Sequence, residues 1–373
     1  MTERMSARGA EGSAGTSPDR SGPGRAGEQA CYAALDLGTN NCRLLIAAPA
    51  REGFRVVEAF SRIVRLGDGL SRTGRLDAAA MERAMAALAI CADKIRRRRP
   101  LRIRAVATQA CRIAENGPEF VKRVALETGI QLAVITPREE AKLSVAGCLN
   151  LLDRSEDAAL VVDVGGGSTE LSWVDLRASN QDGAAIGAWL SIPAGVVTLA
   201  ERFPEGSASS EVWYQAMVDF IRAEIEAFPQ AERFRSVFQD GRAHLIGTSG
   251  AITSLAGLHL GLKRYERSRV DGLWLTDADC DAAAQRLIAL GPAGRAAEPC
   301  IGPDRADLVI AGAAILRAVQ ETWPCVRVRV ADRGLREGIL LSMMAGGPAR
   351  RRRRRRRSGS PSGAGLAAPA PAE

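Results

Sequence analysis

The stretch that decides the fold reads VVDVGGGSTEL and spans residues 161–171. It begins as an apolar, β-branched run with a single carboxylate, Asp163, and such a run predicts a buried strand. Three glycines follow at once, and because glycine has no Cβ, the chain can turn sharply and a ligand can approach the main chain closely. A second apolar run starts after Glu170. The pattern predicts a β-hairpin whose loop N–H groups converge on an anion, although a hairpin with an ordinary tight turn fits the same residues.

An earlier stretch repeats this pattern. Residues 33–46 read AALDLGTNNCRLLI, in which an apolar run again carries one aspartate, Asp36, before a small polar turn and a second apolar run. A third loop, LIGTSGAIT at residues 245–253, leads from a strand through glycines into a helix, and a helix N-terminus is itself an anion site. Two such hairpins, about one domain length apart, predict two related domains that hold a polyanion and a metal between them.

The two hairpin loops supply candidate ligands. The main-chain and hydroxyl groups that we expect to bind phosphate belong to Gly38, Thr39, Asn40, Gly165, Gly166, Gly167, Ser168 and Thr169. Asp36 and Asp163 end buried strands and point at the loops, where either one alone could simply cap a turn. Their matching positions favour a role as metal ligands.

Composition restricts the kind of metal site. The chain has two histidines, His244 and His259, and its eight cysteines include no C-x-x-C pair, so a zinc or histidine centre is disfavoured. A hard cation held by carboxylates and phosphate oxygens fits better, which predicts Mg²⁺ or, in its place, Mn²⁺. Scattered cysteines are typical of small core residues in a reducing compartment, so we expect a cytoplasmic protein.

The two ends of the chain differ in composition from the rest. Residues 1–30 and 347–373 are rich in Gly, Ser, Ala, Pro and Arg, and we expect both segments to be disordered. Most of the net charge of +8 comes from an unbroken run of eight arginines, Arg350 to Arg357. That tail could contact polyanions such as nucleic acid, acidic lipid or polyphosphate. No apolar window is long enough for a membrane span, and the head has no apolar signal core.

Between the ends, apolar periodicity predicts strands that alternate with helices, an α/β architecture. The clearest helix covers residues 77–98, and a long Ala-rich helix is expected over residues 304–323. The order of three strands and then a helix at each glycine hairpin agrees with two ribonuclease-H-like halves.

The two hairpins resemble those of the exopolyphosphatase and guanosine pentaphosphate phosphohydrolase (Ppx/GppA) family, which belongs to the superfamily of acetate kinase, actin and the heat-shock chaperone ATPases. Three further stretches fit that family: ATQACR at 107–112, REEAK at 138–142 and DRGLREG at 332–338. The resemblance implies two ribonuclease-H-like (actin-like ATPase) domains facing a central cleft. It implies domain I over residues 31–146 and domain II over 147–329, with 330–346 returning to domain I.

The resemblance also implies individual roles. Glu140 matches the position of the proposed catalytic base, although an acidic first turn would also stabilise a helix at Glu139 and Glu140. Glu170 would lie beside the scissile phosphate, at the metal, and Arg112 would contact a phosphate, for which a guanidinium is suited. The third loop, with Gly247, Ser249 and Gly250, would bind a distal phosphate or shape the cleft.

These expectations favour a Mg²⁺-dependent hydrolase that releases orthophosphate from the end of polyphosphate or from guanosine pentaphosphate. A kinase or ATPase of the same superfamily and a non-catalytic polyphosphate or alarmone sensor are the alternatives. The resemblance further implies a homodimer. Two departures from the family pattern, Asn41 in place of serine and Thr136-Pro137 in place of Ser-Gly, affect the first loop and the turn before Glu140.

Overall fold

The two acid-bearing hairpins each begin a separate β-sheet. The structure is a computed structural model that describes residues 30–178, 185–206, 210–228 and 231–345. The predicted head, apart from residue 30, and the predicted tail with Arg350–Arg357 lie outside the described residues.

The first sheet has five strands in the order β3–β2–β1–β4–β5. Its strands are β1 Tyr32–Leu37, β2 Asn41–Pro49, β3 Phe54–Ile63, β4 Arg102–Ala107 and β5 Leu132–Val134. The first three strands are antiparallel neighbours, and β1, β4 and β5 run parallel to one another.

The second sheet has six strands in the order β10–β11–β9–β6–β7–β8. Its strands are β6 Ala158–Val164, β7 Thr169–Asp175, β8 Ala185–Ile192, β9 Ala243–Thr248, β10 Trp274–Thr276 and β11 Arg327–Ala331. Here β6, β7 and β8 are antiparallel, β6, β9 and β11 are parallel, and β10 is added antiparallel at the edge.

The strand order of the first sheet therefore recurs in β8–β7–β6–β9–β11, with the same pattern of antiparallel and parallel pairs. This repetition is the one expected of two ribonuclease-H-like halves. The aspartate of each hairpin occupies the next-to-last position of the sheet's first strand, Asp36 in β1 and Asp163 in β6.

Helices connect and cover the two sheets. They are α1 Leu70–Thr73, α2 Ala78–Arg98, α3 Gln109–Ile113, α4 Gly117–Thr128, α5 Pro137–Cys148, α6 Val196–Arg202, α7 Ser210–Glu226, α8 Ala231–Gln239, α9 Gly250–His259, α10 Arg267–Val270, α11 Asp277–Ala297, α12 Val309–Thr322 and α13 Leu335–Ala345. The helix expected from residue 304 starts later, at Val309, after a 3₁₀ turn at Pro303–Arg305. No helix in the described ranges is long and apolar enough to cross a membrane.

The last helix packs against the first sheet. Ile339, Leu340 and Met343 of α13 share a buried apolar cluster with residues that include Tyr32 of β1 and Leu143 of α5. The boundary predicted after residue 146 falls inside α5, and that predicted after residue 329 falls inside β11. The division of the chain at these residues stays a prediction.

Two contacts join the halves beside the cleft. The Arg65 guanidinium donates to both carboxylate oxygens of Asp307, with Nη–O distances from 2.9 to 3.1 Å. The Glu201 carboxylate accepts from the Gly69 N–H at 2.7 Å and from Ser71 Oγ at 2.6 Å. The loop after β3 thus ties the first half to α6 and to the segment before α12.

Candidate active site

The loops of the two hairpins have the same hydrogen-bonded turn. The Gly38 N–H donates to Asn41 O at 2.8 Å in the first loop, and the Gly165 N–H donates to Ser168 O at 2.9 Å in the second. Each turn follows directly after the strand that carries an aspartate. The repeat visible in the sequence is therefore a repeat of local backbone geometry.

The two loops touch each other across the cleft. A Cβ at Gly166 would lie 3.0 Å from the main-chain nitrogen of Asn40, and one at Gly167 would lie 2.9 Å from Thr39 Oγ1 and overlap Gln109 Oε1. Larger residues at these two positions would push the loops apart. The glycines are required here because backbone approaches backbone, not because of an unusual φ.

A cavity of about 490 Å³ opens between the halves at this contact. Most of the residues predicted to form the site line it, namely Asp36, Gly38, Thr39, Asn40, Glu140, Asp163, Gly165, Gly166, Gly167, Ser168, Ser249 and Gly250. The structure thus brings residues from three distant stretches of sequence to one wall, with Glu140 at the N-terminal end of α5.

Four of the predicted site residues are not part of the cavity wall. Thr169 is fully buried and donates its hydroxyl to Ala194 O at 2.8 Å, so that hydroxyl is not directed at a ligand. Gly247 lies inside β9, facing the Ile252 side chain. Glu170 is 2% exposed, and Arg112 donates a hydrogen bond to Glu140. The first two are poorly placed to bind phosphate directly.

The carboxylates cluster closely enough to influence one another. Burial, with repulsion from Glu170 and Asp163, raises the pKa of Glu140 to about 9. Burial, with repulsion from Asp163, raises the pKa of Glu170 to about 7. Burial also raises the pKa of Asp36 to about 6 and raises that of Asp163. Such a cluster favours the binding of a cation, which would replace repulsion by attraction.

Two serines hold carboxylates of this cluster in place. Ser144 of α5 donates to Asp163 Oδ2, and Ser191 of β8 donates to Glu170 Oε1 at 3.0 Å. In the strand register, Asp163 and Glu170 are direct neighbours on β6 and β7. Neither serine was predicted from the sequence, because each meets its carboxylate only in the folded chain.

The oxygen donors of the site suit a divalent cation that also binds substrate. Asp36 Oδ1 is buried and has no hydrogen-bond partner among the described residues, and carboxylate oxygens are what Mg²⁺ prefers. Within the described ranges, no three His, Cys, Asp or Glu side chains are close enough together to hold a metal by themselves. Mg²⁺ commonly takes one or two carboxylates and completes its shell with water and substrate phosphate. The residues present fit a cation bound in that way.

Four arginines line the cavity together with these carboxylates: Arg43, Arg305, Arg333 and Arg336. Arg43 is directly opposite Asp36 in the pairing of β1 and β2. A Cβ at Gly250, at the start of α9, would lie 3.6 Å from Arg43 Nη2 and 3.9 Å from Arg305. Two guanidinium groups and a helix N-terminus therefore meet at the end of the third loop, where they favour an anion.

Sequence reasoning missed Arg43 and Arg305 as parts of the site. A signal was present for the first, because Arg43 interrupts an otherwise apolar strand beside the aspartate hairpin. For Arg305 there was none, since it follows Pro303 in a polar connection that sequence pattern does not place near α9.

Comparisons with known proteins agree with this geometry. The family model described as the Ppx/GppA phosphatase family matches residues 45–346. The chain is 31% identical over 324 residues to Exopolyphosphatase 2 of Mycobacterium tuberculosis, a match that covers 83% of this chain and 98% of the relative.

Solved structures of similar fold include an exopolyphosphatase-like protein, with 31% identity and a TM-score of 0.74, covering 85% of this chain and 98% of that one. The Aquifex aeolicus member of the Ppx/GppA family has 28% identity and a TM-score of 0.68, covering 84% of this chain and 97% of that one.

Two ribonuclease-H-like halves that close on glycine loops, carboxylates and arginines define a two-domain α/β enzyme that acts on phosphate compounds. Within that class, the chain belongs to the Ppx/GppA phosphatase family. The predicted family, fold class and hydrolase class are confirmed.

Proposed function

We propose that the protein is an exopolyphosphatase, a phosphoanhydride hydrolase that releases orthophosphate from the end of inorganic polyphosphate with the help of a divalent cation. The observation that carries this proposal is the placement of Glu140. Glu140 lines the same cavity as both glycine loops, and its carboxylate accepts a hydrogen bond from Arg112 at 3.2 Å. The name of the mycobacterial relative supports the choice of polyphosphate.

The reaction needs little covalent chemistry from the protein. A water molecule attacks the terminal phosphorus in line with the leaving oxygen, so positioning and charge neutralisation dominate. Main-chain N–H groups of the loops around Gly38 and Gly166 bind phosphoryl oxygens. Glu140 orients the water and accepts its proton.

Asp163, Glu170 and Asp36 are the candidate ligands of the cation, which we take to be Mg²⁺, with Mn²⁺ as a substitute. One or two of them would bind it directly, and water and substrate phosphate would complete its shell. When bound, it would neutralise charge on the phosphoryl oxygens. Burial and repulsion from Glu170 and Asp163 favour the protonated form of Glu140, so positive charge beside these carboxylates would lower the pKa of Glu140 and favour its action as a base.

The test is phosphate release from long-chain polyphosphate by the purified protein with Mg²⁺. We expect release that depends on the cation and is lost in Glu140→Ala. Absence of release by the wild type, or full release by Glu140→Ala, would contradict the proposal.

Guanosine pentaphosphate is a second candidate substrate, favoured by the apolar part of the cavity lining. Pro299, Ile301 and Leu308 line the cavity, as does Tyr265. Polyphosphate has no apolar group that could pack against these residues, whereas guanosine pentaphosphate carries a nucleoside that could. Assays of both substrates side by side, at equal concentrations of terminal phosphate, give the preference directly.

Three further expectations belong to this proposal. A homodimer is expected from the family resemblance, and light scattering on the purified protein measures the oligomeric state.

Contact of the Arg350–Arg357 tail with polyanions is checked by comparing polyphosphate binding with and without residues 347–373. A cytoplasmic location is checked by fractionation of cells.

A further inference from the structure

Ser144 is a buried serine whose hydroxyl is directed at a carboxylate of the site. Its side chain is 1% exposed, and Oγ donates to Asp163 Oδ2. Ser144 lies four residues after Glu140 in α5, so both side chains are on the same face of the helix. One face of α5 thus carries both the proposed base and this hydroxyl.

A serine inside a helix usually directs its hydroxyl to solvent or to the carbonyl one turn earlier. Ser144 does neither, because its oxygen crosses from α5 to a strand of the second sheet. The hydrogen bond joins residues 19 positions apart in sequence.

The two aspartates of the repeated hairpins differ in this respect. In the part of the chain that the structure describes, Asp36 Oδ1 is buried without a hydrogen-bond partner, whereas one oxygen of Asp163 accepts from the Ser144 hydroxyl. A carboxylate turns readily about its last torsion, since that torsion has broad minima. A fixed donor on one oxygen restricts this rotation and leaves the other oxygen available for a cation.

We propose that Ser144 is a positioning residue that orients Asp163 as a ligand of the divalent cation. The inference rests on the proposed function, in which Asp163 binds that cation. Because Ser144 and Glu140 share one turn of a rigid helix, the same contact sets the position of the cation relative to the base. Groups that orient metal ligands in this way typically contribute 10- to 100-fold to metal affinity.

The experiment measures Mn²⁺ binding by electron paramagnetic resonance on the full-length protein without substrate. Ser144→Ala removes the hydroxyl, and Ser144→Cys keeps a side chain of similar shape but with a weak donor. Both are expected to weaken Mn²⁺ binding by about 10-fold or more. Ser144→Thr keeps the hydroxyl and is expected to restore binding to within about threefold of the wild type.

The matched control is Thr322→Val. Thr322 is also buried, but its hydroxyl donates to Ala318 O within α12, away from the cavity. We expect this variant to bind Mn²⁺ as the wild type does. In phosphate-release assays, Ser144→Ala should raise the Mg²⁺ concentration needed for half-maximal rate and leave the rate at saturating Mg²⁺ less affected.

The outcomes distinguish a failure of this inference from a failure of the proposed function on which it rests. If Asp163→Asn leaves Mn²⁺ binding intact, the proposed role of Asp163 fails. If Asp163→Asn abolishes binding but folded Ser144→Ala and Ser144→Cys bind Mn²⁺ as tightly as the wild type, the role of Ser144 alone is overturned. The melting temperature of each variant, measured beside the binding, shows that the comparison is between folded proteins.

Discussion

Arg112 donates through Nη1 to Glu140 Oε2 over 3.2 Å, and the same nitrogen donates to the main-chain oxygen of Ile135 over 2.8 Å. The guanidinium therefore bridges the carboxylate of the proposed base and the chain just before α5. Both side chains are mostly buried, at 20% and 12% exposure, so water screens the pair only weakly. Arg112 acts on the base and not, in this arrangement, on the cavity directly.

Loss of Arg112 should shift the pH dependence of the reaction. Burial raises the pKa of Glu140, and the positive charge of Arg112 lowers it. In Arg112→Met the pKa of Glu140 therefore rises further, and a higher pH is needed to ionise the base. The acidic limb of the profile of kcat/KM against pH should move to higher pH.

The control for this change is Arg104→Met. Arg104 pairs with Glu139, outside the cavity, and its loss should leave the acidic limb in place. If the acidic limb of the kcat/KM profile stays in place in Arg112→Met, or moves to lower pH, the assignment of Glu140 as the base is contradicted.

Replacement of Glu140 separates it from its neighbour in sequence. Glu140→Gln should lower kcat by roughly 10²- to 10⁴-fold, the usual contribution of a general base. Glu139→Gln should stay within about threefold of the wild type, because that side chain is on the outer face and pairs with Arg104. Equal losses of kcat in the two variants would show that the two glutamates stabilise the helix and take no part in the reaction.

The stability of the cation-free protein should fall as pH rises. The pKa of Glu140 is raised from 4.5 to about 9 in the folded chain, so folding favours the protonated form. Its contribution is complete below pH 4.5 and is lost as pH increases toward 9. In urea unfolding at pH 5, 7 and 9 with a chelator present, the stability of Glu140→Gln relative to the wild type should increase with pH. A constant difference across these pH values would show that Glu140 is not protonated by burial.

The contact between the loops should not tolerate a methyl group. At Gly167 a Cβ would overlap Gln109 Oε1, so Gly167→Ala should separate the loops and lower phosphate release by at least about 10-fold. Gly187 in β8 has open space around the position of a Cβ, which makes Gly187→Ala the matched control with near wild-type activity. Full activity in Gly167→Ala would mean that the loops need not touch during turnover.

Local pattern predicted the parts of the fold that depend on local physics. The strands on either side of each glycine loop follow from apolar runs, and α2 begins after Asp77, which caps it by accepting from the Ala80 N–H at 3.0 Å. Such caps and runs involve residues close in sequence. They can therefore be identified before any tertiary contact is known.

Features that depend on tertiary contacts were harder to predict from the sequence. The helix expected from residue 304 begins instead at Val309, and Asp307, between the two positions, pairs with Arg65 from the other half of the molecule. In the same way, the alternation of apolar and polar residues in β7 does not predict that the Thr169 hydroxyl donates to Ala194 O. The partners in these contacts are distant in sequence, and their positions depend on the complete fold.

The return of α13 to the first sheet has a consequence for synthesis on the ribosome. Strand β5 ends at Val134, and α13 begins only at Leu335. At roughly 5–20 residues per second, the ribosome needs on the order of 10–40 s to make the intervening chain. During that interval, α13 is not yet present to pack against the apolar side of the first sheet that it covers in the folded protein. We therefore expect chaperones to bind the nascent amino-terminal half until α13 has been made.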